Sequence, residues 1–135
     1  MVIVDTTVWI DYLAGRQTEK TAWLHAHATQ QPMGLTDLTL CEILQGVRDA
    51  KKAARLHKDL QSFQIFDTGG EALAVAAAHH YRHLRARGHT VRGTIDCLIA
   101  TFCLAHGHTL LHDDRDYDPF EQELGLSVLH PPPLS

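Results

Sequence analysis

No run of apolar residues in this sequence approaches the roughly 18 to 20 needed to cross a bilayer, and MVIVDTTVW at its start has no basic region leading into a long apolar stretch. Both absences predict a cytoplasmic protein that neither spans nor crosses a membrane. Cysteine is scarce: Cys41, Cys97 and Cys103 are the three, each inside an apolar segment, with no C-x-x-C pair among them. That excludes a disulfide framework and a zinc knuckle, and predicts buried, reduced thiols. An excess of positive charge is missing too. The formal net charge is −4 with histidine neutral, so the domain as a whole is no general polyanion binder.

The chain has 135 residues, 44% apolar and 21% charged, which is the size and balance of one soluble domain and argues against disorder or a fibrous architecture. Val2-Ile3-Val4 is a short β-branched run, the pattern of a strand buried on both faces. Thr6 and Thr7 cap a helix whose apolar stripe is Trp9, Ile10 and Leu13, with Gly15 as its stop. Helices follow over about 18–29, 37–47 and 49–63, with an extended piece at 33–36 between the first two. Gln64 to Asp67 reads as a strand, 71–87 as an alanine-rich helix, and Thr94 to His106 as an apolar helix stopped by Gly107. A strand at 109–111, an acidic loop, a short helix at 120–124 and a last strand at 127–129 complete the chain. Strands alternating with helices predict an α/β fold, a three-layer α/β/α sandwich with a mostly parallel central sheet. Residues 130–135, HPPPLS, form a proline-rich tail that cannot extend a central strand.

Four acids stand out against this frame. Asp96 sits in the first turn of an otherwise apolar helix, where an ionised carboxylate is costly unless something meets it. Asp5 ends the first strand, and His112-Asp113-Asp114-Arg115-Asp116-Tyr117-Asp118 follows the strand Leu110-Leu111. In an open parallel sheet both therefore face the carboxyl edge, where ligands bind. Glu42 lies inside a helix with Gly46 one turn on, and Ala100 and Cys103 follow Asp96 along its face, so small residues leave room beside both acids. Singly, each acid has an ordinary explanation as a cap, a turn or a solvated side chain. Together at one edge they would raise one another's pKa unless a cation neutralised them, and hard oxygen donors suit Mg²⁺ or Mn²⁺ better than zinc.

VIVDTTVWIDYL, LTLCEILQGV, TIDCLIA and TLLHDDRDYD, in this order over essentially the whole chain, resemble the PIN domain, and in particular the VapC-type toxins of bacterial toxin–antitoxin pairs. The resemblance implies a single PIN-like domain over residues 1–135. It also implies a Mg²⁺-dependent endoribonuclease, with Mn²⁺ as a substitute, that cuts a structured RNA such as a tRNA loop. It assigns Asp5, Glu42, Asp96 and Asp114 to the metal-binding quartet, Asp116 to its support, and Thr7 to the small hydroxyl position after the first aspartate. His112 stands where relatives carry Thr or Ser, and Tyr117 where Phe is more usual; neither departure touches an acid. A cognate VapB-type antitoxin, a homodimer and a toxin–antitoxin hetero-oligomer are the implied partners. Trp9, Tyr12, Leu13 and Trp23 are candidates for such contacts, but core positions are the better reading for most of them.

Two basic stretches, one containing Arg48, Lys51, Lys52 and Arg55 and another containing Arg82, Arg85 and Arg92, are candidates for RNA phosphate contacts, against the plainer reading of solvated helix faces. Competing chemistries fit less well. His79-His80-x-x-His83 and His106-x-His108 have workable zinc spacing, yet no Cys or acid completes a tetrahedral site. A phospho-acceptor domain needs a lysine late in the chain, and the last here is Lys58. A D-x-D phosphatase fails because Asp5 is followed by Thr6 and Thr7. An EF-hand fails because Pro119 and Gly125 occupy the positions of its Gly and its bidentate Glu. The remaining alternative is a PIN-like scaffold that binds RNA or protein without cutting, which a missing acid would favour; none is missing.

Overall fold

The computed structural model describes residues 1–134; Ser135, the end of the expected tail, lies outside the described residues. Among the described residues, five short strands are interleaved with seven α-helices, mostly in pairs. They run β1 (Val2–Val4), α1 (Thr6–Leu13), α2 (Glu19–His27), β2 (Met33–Thr36), α3 (Asp37–Gln45), α4 (Ala50–Leu60), β3 (Gln64–Phe66), α5 (Glu71–Ala86), α6 (Thr94–His106), β4 (Thr109–Leu111), α7 (Asp118–Leu124) and β5 (Ser127–Val128). A 3-10 turn, Arg115–Tyr117, leads into α7. The sheet order is β3-β2-β1-β4-β5, and every pairing is parallel.

Side-chain alternation along β1 explains the three layers. Ile3 points into one core with Leu84, Ile99, Cys103, Leu110, Tyr117 and Phe120, beneath α5 and α6. Val4, the next residue, points to the opposite face with Val8, Trp9, Leu24, Leu35, Leu60 and Leu111, beneath α1, α2 and α4. Each face buries its own apolar set, so both helical layers are held by hydrophobic burial at ~25 cal/mol per Å² of apolar surface. Gly34 is required where β2 passes β3: a Cβ there would lie 2.6 Å from the Phe66 ring and 2.8 Å from the Gln64 carbonyl.

The cap of α1 is Asp5, which accepts from the Thr7 N–H; the expected caps Thr6 and Thr7 lie inside the helix instead. Thr18 forms a capping box with Thr21, Thr36 accepts from the Thr39 N–H, and Asp49 accepts from the Lys51 N–H. These caps shorten three helices relative to expectation, because Thr18 and Asp49 lie outside the helices they start, and Gly46 ends α3. Two further expectations are corrected. Cys41 is exposed while Cys97 and Cys103 are buried, all three being free thiols. On α3 the inward residues are Thr39 and Ile43, and Cys41, midway between them, falls on the opposite side of a helix. On α1 the buried arc is Val8, Trp9 and the half-buried Tyr12, so Ile10 and Leu13 are left 51% and 47% exposed instead of joining the stripe. Trp9 is core, packing edge-on against Phe63 at 5.0 Å, and Trp23 is half-buried.

Candidate metal centre

From β1 the chain steps outward through β2 to β3, then returns to β4 on the other side of β1 and ends at β5. The carboxyl ends of β1 and β4 therefore flank the point where strand order reverses, the crevice where parallel sheets bind ligands. Asp5 follows β1 and caps α1, and His112 to Asp118 follow β4. Helix α6 brings Asp96 to the same crevice from its first turn.

One carboxylate oxygen each from Asp96, Asp114 and Asp116 lies within 4.8 Å of the others, all three residues being half-buried. Asp5, only 2% exposed, is joined to this trio through Tyr117. The Tyr117 hydroxyl donates to Asp5 Oδ1 at 2.6 Å and lies 3.3 Å from Asp96 Oδ1. The second Asp5 oxygen accepts from the Thr7 N–H at 3.1 Å and the Thr7 hydroxyl at 2.7 Å. Thr7 in turn accepts from the Asp113 N–H at 3.0 Å, which ties the acidic loop to the start of α1. Lys20, reaching from α2 to Asp113 at 3.3 Å, pins the same loop from outside.

Glu42 belongs to a neighbouring hydroxyl chain and stands outside the trio. Thr6 Oγ1 donates to Glu42 Oε1 at 2.7 Å and lies 3.2 Å from Thr39 Oγ1, within the buried junction of α1 and α3. Since Thr6 adjoins Asp5, the two acids are held by consecutive parts of one strand-to-helix turn.

The electrostatics mark Asp96 as the acid under most strain. Burial first, then the charges of Asp5 and Asp114, push its carboxyl up from an ordinary 3.8 to about 7, against the opposing hydrogen bond from Tyr117. Burial also raises the Tyr117 hydroxyl well above 10, which keeps it a neutral donor. His112 is 8% exposed, and burial lowers its pKa, so it is neutral. Its Nδ1 accepts from the Asp114 N–H at 3.1 Å and its ring packs on Tyr117 at 4.7 Å, so it shapes the loop that presents Asp114. Beside it a cleft of about 190 Å³ is lined by Lys20, Asp113, Asp114, Arg115 and Asp118 among others.

Sequence reasoning missed three contributors. Thr6 was visible only as a cap, though its position next to Asp5 at a strand end was a usable signal. Tyr117, noted only as standing where Phe is more usual, touches two of the acids, because the 3-10 turn folds its ring under the crevice. Gly93, the N-cap of α6, leaves the space Asp96 fills: a Cβ there would lie 3.0 Å from Asp96 Oδ2. Arg48, Lys51, Lys52, Arg55, Arg82, Arg85 and Arg92 are all exposed, and among the described residues none forms an ion pair. The histidines of α5 and α6 join no group of three metal-ligating side chains among the described residues.

Over 120 residues the chain is 27% identical to ribonuclease VapC11 of Mycobacterium tuberculosis and equally to a VapC ribonuclease of Mycobacterium bovis, covering 87% of this chain and 90% of each relative. Among solved structures, FitAcB of Neisseria gonorrhoeae superposes with a TM-score of 0.75 at 22% identity, over 97% of this chain and 98% of the other. VapBC2 of Rickettsia felis, bound to a promoter DNA fragment, gives 0.74 at 17% identity, over 96% and 98%. At these identities the two structures speak to the fold. The PIN-domain model matches residues 2–122, nearly the whole described chain and every acid of the crevice, and the chain belongs to the PIN-domain family.

Proposed function

We propose that this PIN-domain chain is a metal-dependent endoribonuclease and the toxin of a VapBC-type toxin–antitoxin pair. The observation that carries the reading is the convergence of Asp96, Asp114 and Asp116 at the β1–β4 crevice, with Asp5 tied to Asp96 by one hydroxyl. In this reading Asp5, Glu42, Asp96 and Asp114 hold the cation and Asp116 supports it. The donor set fits: several carboxylates, no thiol or imidazole among them, and an Asp96 whose ionisation the neighbouring charges oppose. When bound, Mg²⁺ or Mn²⁺ supplies Lewis-acid activation of a water and stabilises charge developing on the phosphodiester.

The chain's own groups do the positioning. Thr7 orients Asp5, Thr6 orients Glu42, and His112 holds the backbone that carries Asp114. The exposed, unpaired Arg48, Lys51, Lys52, Arg55, Arg82, Arg85 and Arg92 are available for phosphates of a structured RNA such as a tRNA. No helix among the described residues is long and apolar enough to cross a membrane, in keeping with action in the bacterial cytoplasm. Ile10 and Leu13, exposed on α1, offer apolar surface for the antitoxin or for a second copy in a homodimer.

The test is cleavage of total cellular RNA by purified, antitoxin-free protein with Mg²⁺, Mn²⁺ or EDTA, beside Asp5→Asn, with product ends mapped. Discrete cuts that need the cation, vanish in Asp5→Asn and leave 5′-phosphates are expected. Intact RNA under every condition, from protein shown to be folded, refutes the nuclease.

A further inference from the structure

We infer that Tyr117 helps determine which cation this centre accepts, by leaving Asp5 a single free ligand position; the inference rests on the metal-dependent reading above. A carboxylate offers about four lone-pair sites. On Asp5 three are taken: one on Oδ1 by the Tyr117 hydroxyl, and two on Oδ2 by the Thr7 N–H and hydroxyl. The remaining site is on Oδ1, the oxygen that shares the Tyr117 hydroxyl with Asp96 Oδ1. Asp5 is thereby a one-point ligand whose carboxylate cannot turn.

Neither lock is free to yield. Tyr117 is fully buried, its ring against His112 at 4.7 Å and in one core with Ile3, Leu110 and Phe120. Thr7 is held by the Asp113 N–H at 3.0 Å. A rigid carboxylate that binds through one oxygen suits Mg²⁺ or Mn²⁺, which take near-octahedral shells of short bonds. Ca²⁺ collects about 6 to 8 oxygens from flexible and often bidentate carboxylates. Tyr117 therefore acts as a positioning residue that selects the smaller cation. Phenylalanine in its place would keep the packing but free a second site on Oδ1 and leave the carboxylate held at Oδ2 alone.

The experiment titrates Mn²⁺ and Ca²⁺ separately into the full chain by calorimetry, using the wild type, Tyr117→Phe and Asp5→Asn, with circular dichroism to verify folding. The wild type is expected to prefer Mn²⁺, with binding lost in Asp5→Asn. In Tyr117→Phe the Mn²⁺-to-Ca²⁺ affinity ratio should narrow by about tenfold, the scale of one hydrogen bond to a charged group. A purely structural tyrosine would weaken both cations alike, so an unchanged or wider ratio overturns the inference while leaving the metal-dependent reading intact. If the wild type shows no Asp5-dependent binding, that reading falls and the inference with it. Thr7→Val, which removes the second hydroxyl lock, should narrow the ratio in the same direction; should Tyr117→Phe fail to fold, an unchanged ratio in Thr7→Val overturns the inference instead.

Discussion

Asp96→Asn removes one charge from the centre while keeping its shape, since the amide oxygen can still accept from the Tyr117 hydroxyl now 3.3 Å away. In the wild type, burial and then the charges of Asp5 and Asp114 raise the Asp96 carboxyl from 3.8 to about 7. The folded protein thus holds this proton more tightly than the unfolded chain does. The stability it contributes is fully present below about pH 4 and is lost as pH rises through about 7. A rise of that size corresponds to about 4 kcal/mol. The side chain is still partly in contact with water, and screening reduces the figure to ~2 kcal/mol. In EDTA at pH 8, Asp96→Asn should therefore be more stable than the wild type by ~2 kcal/mol, a rise in Tm of about 6 to 8 °C. Near pH 4 the advantage should vanish. Mn²⁺ at pH 8 should then raise the wild-type Tm by linkage and the variant's much less. Scanning calorimetry from pH 4 to 9, with EDTA and with Mn²⁺, measures all three. A variant less stable than the wild type at pH 8 without metal would refute the electrostatic reasoning. An undiminished Mn²⁺ response in the variant would mean that the cation binds elsewhere.

Gly93→Ala should spare the backbone, whose φ of −105° any residue adopts, yet set a methyl 3.0 Å from Asp96 Oδ2. The Mn²⁺-induced rise in Tm should shrink, while the Tm in EDTA falls by no more than a loss of ~1 kcal/mol would produce; an unchanged Mn²⁺ response would show that Asp96 has room to move aside. Gly34→Ala is the opposite kind of change, far in effect from the acids. Its methyl would meet the Phe66 ring at 2.6 Å and the Gln64 carbonyl at 2.8 Å, so denaturant melts should show a loss of about 1 to 3 kcal/mol from overpacking. A neutral result would mean that β3 can shift away from β2.

Much of this molecule is legible in the linear chain because the signals are local. β-Branched runs such as Val2–Val4 and glycine stops at Gly15 and Gly107 each act within a few residues. The acids at strand ends could be placed on one edge because parallel strands all end at the same side of a sheet. Which face a residue takes was less secure. Cys41, Ile10 and Leu13 lie in apolar segments yet face outward, since the arc a helix buries depends on what packs against it.

The amino-acid order thus carried the fold class and the placing of Asp5 and the Asp113–Asp118 loop at one sheet edge, consequences of short-range propensity and of strand direction, but not the separation of Glu42 from the trio. Tertiary packing alone set which oxygens of those acids are free. Tyr117 reaches Asp5 across 112 residues of sequence, and Thr6 meets Glu42 across 36. Hydrogen bonds of about 3 Å between such distant positions depend on the docking of a 3-10 turn and of α3 against β1 and α1, a geometry no local pattern encodes.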